Sequence, residues 1–117
     1  MSASLRESNN YADSLVILKR FKEARALLSK TMPVARRVLG ENSLITLSMR
    51  TVYAMALYKD PAATLDKLRE SVETLEDALR IARRTFGSAH PLTTGLEKKL
   101  QLSRAVLRAR ETPSTSA

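Results

Sequence analysis

The side chains from which chemistry is usually built are thin on this chain of 117 residues. It holds one histidine, His90, and no cysteine. Disulfides and thiolate metal sites are therefore excluded. A single histidine gives no metal site, and no serine or cysteine stands where a catalytic triad could be assembled around it. There is no glycine-rich phosphate loop and no nucleophile elbow. The expectation is a protein that is not an enzyme and takes no cofactor. What the chain does offer is polar and charged groups in a repeated setting. Ala35-Arg36-Arg37-Val38-Leu39-Gly40 returns as Ala82-Arg83-Arg84-Thr85-Phe86-Gly87, 47 residues further on. Leu28 and Leu75 share that offset, as do Val34 and Ile81. Self-similarity at such a period marks an array in which each unit buries its apolar face on the next.

The elements that must carry these residues read as helices. Hydrophobic residues make up 44% and aromatics 4%, so the core must be aliphatic, and strand-type alternation is scarce. Ser8 to Arg20 reads as a first helix with Tyr11, Ala12, Leu15, Val16 and Leu18 as its stripe. Phe21 to Leu39 reads as a second, with Ala24, Leu27, Leu28, Thr31, Ala35 and Val38 inward and a kink at Pro33. Gly40 suits the left-handed position after a helix end. Ser43 caps a third helix from Leu44 to about Tyr58. Pro61 precedes a fourth, Ala62 to Phe86, closed by Gly87. The fifth runs from Pro91 to Arg110, with Leu92, Leu96, Leu100, Leu102, Ala105 and Leu107 apolar and His90 as its cap. The predicted fold is all-α: a right-handed α-solenoid of antiparallel helix hairpins, about two and a half repeats. Residues 1–7 are expected to be a flexible segment, 8–111 the repeat domain with units 8–40, 43–87 and 90–111, and 112–117 a disordered tail.

No apolar run approaches the roughly 18–20 residues of a membrane span. A soluble, cytoplasmic protein without a membrane partner is expected. The formal net charge of +8 is compatible with an acidic partner, whether nucleic acid, a membrane surface or an acidic protein. Its plainer reading is solvated helix faces, because the basic residues come in scattered pairs. On α-helical spacing, Glu70, Glu73, Glu76 and Asp77 should pair locally with Arg69, Arg80 and Arg83.

Ala12 followed by Phe21-Lys22-Glu23-Ala24 resembles the tetratricopeptide repeat, which places small residues twelve apart where its two helices cross. The Arg-Arg-Val-Leu-Gly and Gly-Ser-Ala-His-Pro-Leu-Thr junctions are similar to the kinesin light chain type of that repeat, and the resemblance covers about residues 8–111. Departures are an insertion around Asp60 to Asp66, Ser71 in place of the small residue of the fourth helix, and Gln101 where Ala12 and Ala54 stand. The last helix therefore looks like a cap, and nothing sustains the heptads that join the kinesin light chain to its motor subunit. The resemblance implies a cargo-adaptor or scaffold module that holds a peptide or partner helix in its concave groove. It implies that Asn10 grips a peptide backbone, with Asn9 beside it. Val52 breaks that asparagine pattern in the next unit. By the same register Asp13, Thr51, Met55, Tyr58 and Lys98 face the groove. The rival readings are a basic helical nucleic-acid binder and a solenoid that self-associates end to end.

Overall fold

The computed structural model describes residues 2–112, with side chains from Leu5 onward. Five helices follow one another: α1 (Ser2–Ile17), α2 (Phe21–Leu39), α3 (Leu44–Tyr58), α4 (Leu65–Phe86) and α5 (Pro91–Glu111). Successive helices pack as antiparallel neighbours, and α3 also lies against α1 and α5. The odd-numbered helices thus form one layer and α2 and α4 the other. The result is an all-α solenoid measuring 55 × 31 × 20 Å.

The core follows from the position of α3 at the centre. Leu47, Ala54 and Tyr58 join Leu68, Leu75, Ala78 and Ala82 of α4 and Leu96 and Leu100 of α5. Met49, Val52 and Ala56 join Ala12, Leu15 and Val16 of α1 and Ala24, Leu28 and Ala35 of α2. Ala12, Ala24 and Ala54 are wholly buried, as close helix crossings demand. Ser71 is buried too, and its hydroxyl donates to the Ala54 carbonyl oxygen at 3.0 Å while lying 2.8 Å from Ser103 Oγ. A small polar residue is tolerated at this crossing because its hydrogen bonds are met.

The two glycine turns are replicas. Gly40 and Gly87 have φ 91° with ψ 164° and 163°, and each donates its N–H to the carbonyl four residues back. This is not the left-handed helical cap expected at Gly40. It is a region with large positive ψ that is open essentially only to glycine. Ser43 and His90 then cap the following helices through the same backbone geometry: Ser43 Oγ accepts from Ile45 N–H at 3.2 Å, and His90 Nδ1 from Leu92 N–H at 3.1 Å.

The left-handed cap belongs instead to Lys19, at φ 63°. Arg20 N–H bonds back to Leu15 O and Lys19 N–H to Val16 O, the paired bonds of a Schellman end. That motif closes α1 at Ile17, short of the expected Arg20. At its other end α1 starts at Ser2, and Leu5 is buried. Residues 2–7, expected to be a flexible segment, are assigned to the first turns of this helix. Tyr11, Leu18, Val38, Leu102 and Ala105 are exposed, against expectation, because no described helix covers those sides of α1, α2 and α5. The helix α2 runs unbroken through Pro33, and α4 starts at Leu65, capped by Thr64. The proposed disordered tail, from Pro113 on, lies outside the described residues.

The insertion between α3 and α4 is clasped from both sides. Arg25 of α2 reaches Ala56 O at 2.7 Å and Asp60 at 3.1 Å. Arg110 of α5 donates to Ala63 O at 2.6 Å and Pro61 O at 3.1 Å.

Candidate interaction groove

The layer made by α1, α3 and α5 encloses a groove of about 320 Å³. Asn9, Asn10 and Asp13 come from α1, and Ser48, Thr51, Val52 and Met55 from α3. Pro91, Leu92, Gly95, Leu96 and Lys99 come from α5. Three helices running in the same direction can share a face in this way because residues three and four apart stack along each one.

Five of the seven residues singled out in the sequence meet here: Asn9, Asn10, Asp13, Thr51 and Met55. Tyr58 and Lys98 do not. Tyr58 is 6% exposed and belongs to the core between α3 and α4. Its hydroxyl is buried without a hydrogen-bond partner, and burial pushes its phenol pKa up. Lys98 is exposed and points off the groove, whereas Lys99 lines it. The 47-residue offset carries Ser48 and Val52 of α3 onto Gly95 and Lys99, which line the groove, but it also carries Thr51 onto Lys98, about 100° of helix rotation away from Lys99. The helix α3 packs against both α1 and α5 and so shows the groove a wider strip than α5 does. The groove-facing series on α5 is Leu92, Gly95, Leu96 and Lys99, at helical spacing. The lone glycine at position 95 inside an otherwise apolar stripe was its only sequence signal.

The chemistry of the groove is graded. Val52, Leu96 and Met55 supply a largely buried apolar floor. Asp13 stands on the α1 wall and Lys99 on the α5 wall. A side chain at position 95 would meet Lys99 Nζ at 3.8 Å, so the ammonium rests over the bare backbone of α5. Asn9 Oδ1 is buried and accepts no hydrogen bond. Thr51 has already committed its proton, donating to Leu47 O at 2.8 Å, and can only accept. Asn10 is exposed, with both functions of its carboxamide free to meet a ligand. The groove therefore offers acceptors, one cation, one anion and an apolar strip.

The acidic strip of α4 is spent between helices more than within one. Glu70 accepts from Tyr53 OH at 3.1 Å, and desolvation together with Glu70 raises the Tyr53 pKa. Glu76 pairs with Arg104 at 2.8 Å and Arg83 with Glu97 at 3.0 Å. Asp77 holds Arg50 at 2.6 Å and Arg80 at 2.7 Å. The Arg50 hydrogen bond, ahead of the other contacts, lowers the Asp77 pKa. Only the Asp77–Arg80 pair and an Asp66–Arg69 pair follow the local spacing.

A stack of antiparallel helix hairpins defines a helical-repeat solenoid. The model of the tetratricopeptide repeat matches residues 8–44 and 63–92, and the chain belongs to that family, whose repeats generally mediate protein–protein interaction. The two matches fall on α1–α2 and on α4 with its closing turn. No curated protein and no solved structure matches the chain.

Proposed function

We infer that the chain binds an extended peptide or a partner helix in the groove between α1, α3 and α5, as a cargo-adaptor or scaffold module of the kinesin light chain type of repeat. The observation that carries this reading is the convergence of Asn9, Asn10 and Asp13 with Thr51 and Met55 around an apolar floor. A buried acceptor without a partner, Asn9 Oδ1, is costly unless a ligand supplies the donor. Lys99 on the α5 wall favours an acidic residue in the bound segment, and Asp13 fixes the opposite direction for a basic one. The Arg-Arg junctions support the subtype, since they close both glycine turns in the same way.

The test is a selection of displayed random peptides on the purified chain, followed by titration of the enriched sequences. Replacing Asn10 and Asp13 together by alanine is expected to raise Kd at least about fivefold, the loss of one to two exposed hydrogen bonds. The melting temperature should stay the same. An unchanged Kd in the folded variant sinks the assignment of this groove.

A further inference from the structure

The turn between α1 and α2 combines three unusual features. Ile17 is 72% exposed and Leu18 63% exposed, side by side at the tip. The next residue, Lys19, holds a left-handed backbone at φ 63°, a conformation that disfavours any residue with a Cβ. The Schellman bonds keep it there, so the tip is a fixed structure that presents two aliphatic side chains to water.

The surroundings are basic. Arg25 reaching Ala56 O, and Arg110 reaching Ala63 O, show that the start of α2, the ends of α3 and α5 and the start of α4 share one end of the molecule. Lys19, Lys22, Lys59, Lys67 and Arg108 at that end are exposed, and none has an ion-pair partner among the described residues. The acids there are already spent: Glu23 on Arg20, Asp60 on Arg25, and Asp66 and Glu111 on Arg69.

We propose that this edge docks on an anionic lipid bilayer, with Ile17 and Leu18 dipping below the headgroups and the free lysines and Arg108 resting on the phosphates. No helix of the described residues is long and apolar enough to cross a membrane. The contact is with the surface only. Two protruding aliphatics need a soft medium that closes around them, which a bilayer provides and a rigid protein surface provides only through a matching pocket. A nucleic-acid backbone would use the cations and leave the apolar pair in water. Apolar insertion and electrostatic attraction to anionic lipid add, and two weak signals together give stable attachment. The groove lies on the α1–α3–α5 layer, so an edge-on attachment leaves it open.

The experiment is sedimentation with large vesicles of phosphatidylcholine, with and without about 30% phosphatidylserine. The chain is expected to sediment with the anionic vesicles only, and to be released by salt well above physiological strength. Ile17→Ser with Leu18→Ser should lower the partition coefficient at least about tenfold, and both sites are exposed, so helicity by circular dichroism should not change. Because the chain contains no tryptophan, Leu18→Trp adds a sole indole whose emission should shift to the blue on anionic vesicles. The proposal is overturned by no sedimentation, by equal sedimentation with neutral vesicles, by an undiminished double variant, or by an unshifted Leu18→Trp spectrum. It is equally overturned if polyglutamate or duplex DNA binds the chain while anionic vesicles do not.

Discussion

Two clefts in this molecule are the same structure 47 residues apart, and they differ in whether a helix covers them. The first is lined by Ser29, Met32, Pro33 and Arg36 of α2 with Arg50 and Tyr53 of α3, and closed by Glu70 and Thr74 of α4 to about 290 Å³. The second is lined by Glu76, Leu79, Arg80 and Arg83 of α4 with Glu97 and Leu100 of α5, the positional equivalents one by one. It stands open at about 950 Å³, with no described helix above it. The residues that α4 covers on α3 are Leu47, Ala54, Leu57 and Tyr58, all buried. Their counterparts on α5 are Thr94, Gln101, Arg104 and Ala105, all exposed. One backbone plan thus carries two chemistries: a close apolar crossing where a helix packs, and a solvated, ion-paired surface where none does. The partner-facing side of both helices keeps its pattern. Thr46 and Thr93, also 47 apart, are both wholly buried with hydroxyl oxygens lacking partners.

The same side chain placed in both clefts should have unequal effects. Ala54→Leu forces an added isobutyl group into the α3–α4 crossing, and overpacking there should cost about 2–3 kcal/mol. Gln101→Leu at the equivalent position should change stability by no more than about 0.5 kcal/mol. Urea unfolding followed by circular dichroism measures both. Equal effects would mean that the outer face of α5 is as tightly packed as that of α3, and the distinction would fall.

Ion pairs give the next contrast. Arg50 has a side chain only 9% exposed and is held by Asp77, while Arg83 and Glu97 are 50% and 40% exposed. Asp77→Ala strands a buried guanidinium whose Nε is already without a partner. Because Asp77 itself is 44% exposed, solvent screening limits the loss to about 1–2 kcal/mol. Glu97→Ala should cost under about 0.5 kcal/mol. The same pair sets an acid dependence. The Asp77 pKa is lowered in the folded state, so its stabilisation is fully present above the ordinary aspartate pKa of about 3.9 and is lost as pH falls through the lower folded value. Below about pH 4 the wild-type chain should therefore lose stability more steeply than Asp77→Ala, which has no such proton to take up.

Where the sequence was legible, local chemistry decided the outcome. The bounds of α2 and α3 follow from Phe21, Gly40, Ser43 and Lys59, and the caps at Ser43 and His90 follow from their place after the glycine turns. Five of the seven groove candidates converge because helical spacing brings Asn9, Asn10 and Asp13 of α1 and Thr51 and Met55 of α3 to one face. The misreadings arise where a neighbour, and not the residue itself, decides. Tyr11, Leu18 and Leu102 look like core by periodicity, yet no described helix packs on those sides. Residues 2–7 look flexible by composition, yet they continue α1 and Leu5 among them is buried. Tyr58 and Lys98 lie at the margins of the helix faces that the register selects: Tyr58 turns into the core with α4, and Lys98 turns to solvent where its neighbour Lys99 lines the groove. The left-handed cap at Lys19 has no residue-type signal at all. Glycine or asparagine would have announced it.

The smallest effect tests how the crossing of α3 and α4 tolerates a polar atom that the crossing of α1 and α2 avoids. Ala24 and Ser71 are equivalent, and both are wholly buried. The Ser71 hydroxyl has one proton and gives it to Ala54 O, so Ser103, at 2.8 Å, must donate to Ser71. Ser71→Ala removes that acceptor and leaves the Ser103 hydroxyl buried without one, at a cost of about 1 kcal/mol. Ser103→Ala leaves Ser71 with its bond to Ala54 and should cost less. The double variant, with neither hydroxyl, should lie within about 0.5 kcal/mol of Ser71→Ala or above it in stability, because removing both partners also removes the unmet group. Strictly additive losses in this cycle would show that the two serines do not form a chain of hydrogen bonds, and that Ser71 is tolerated for its size alone.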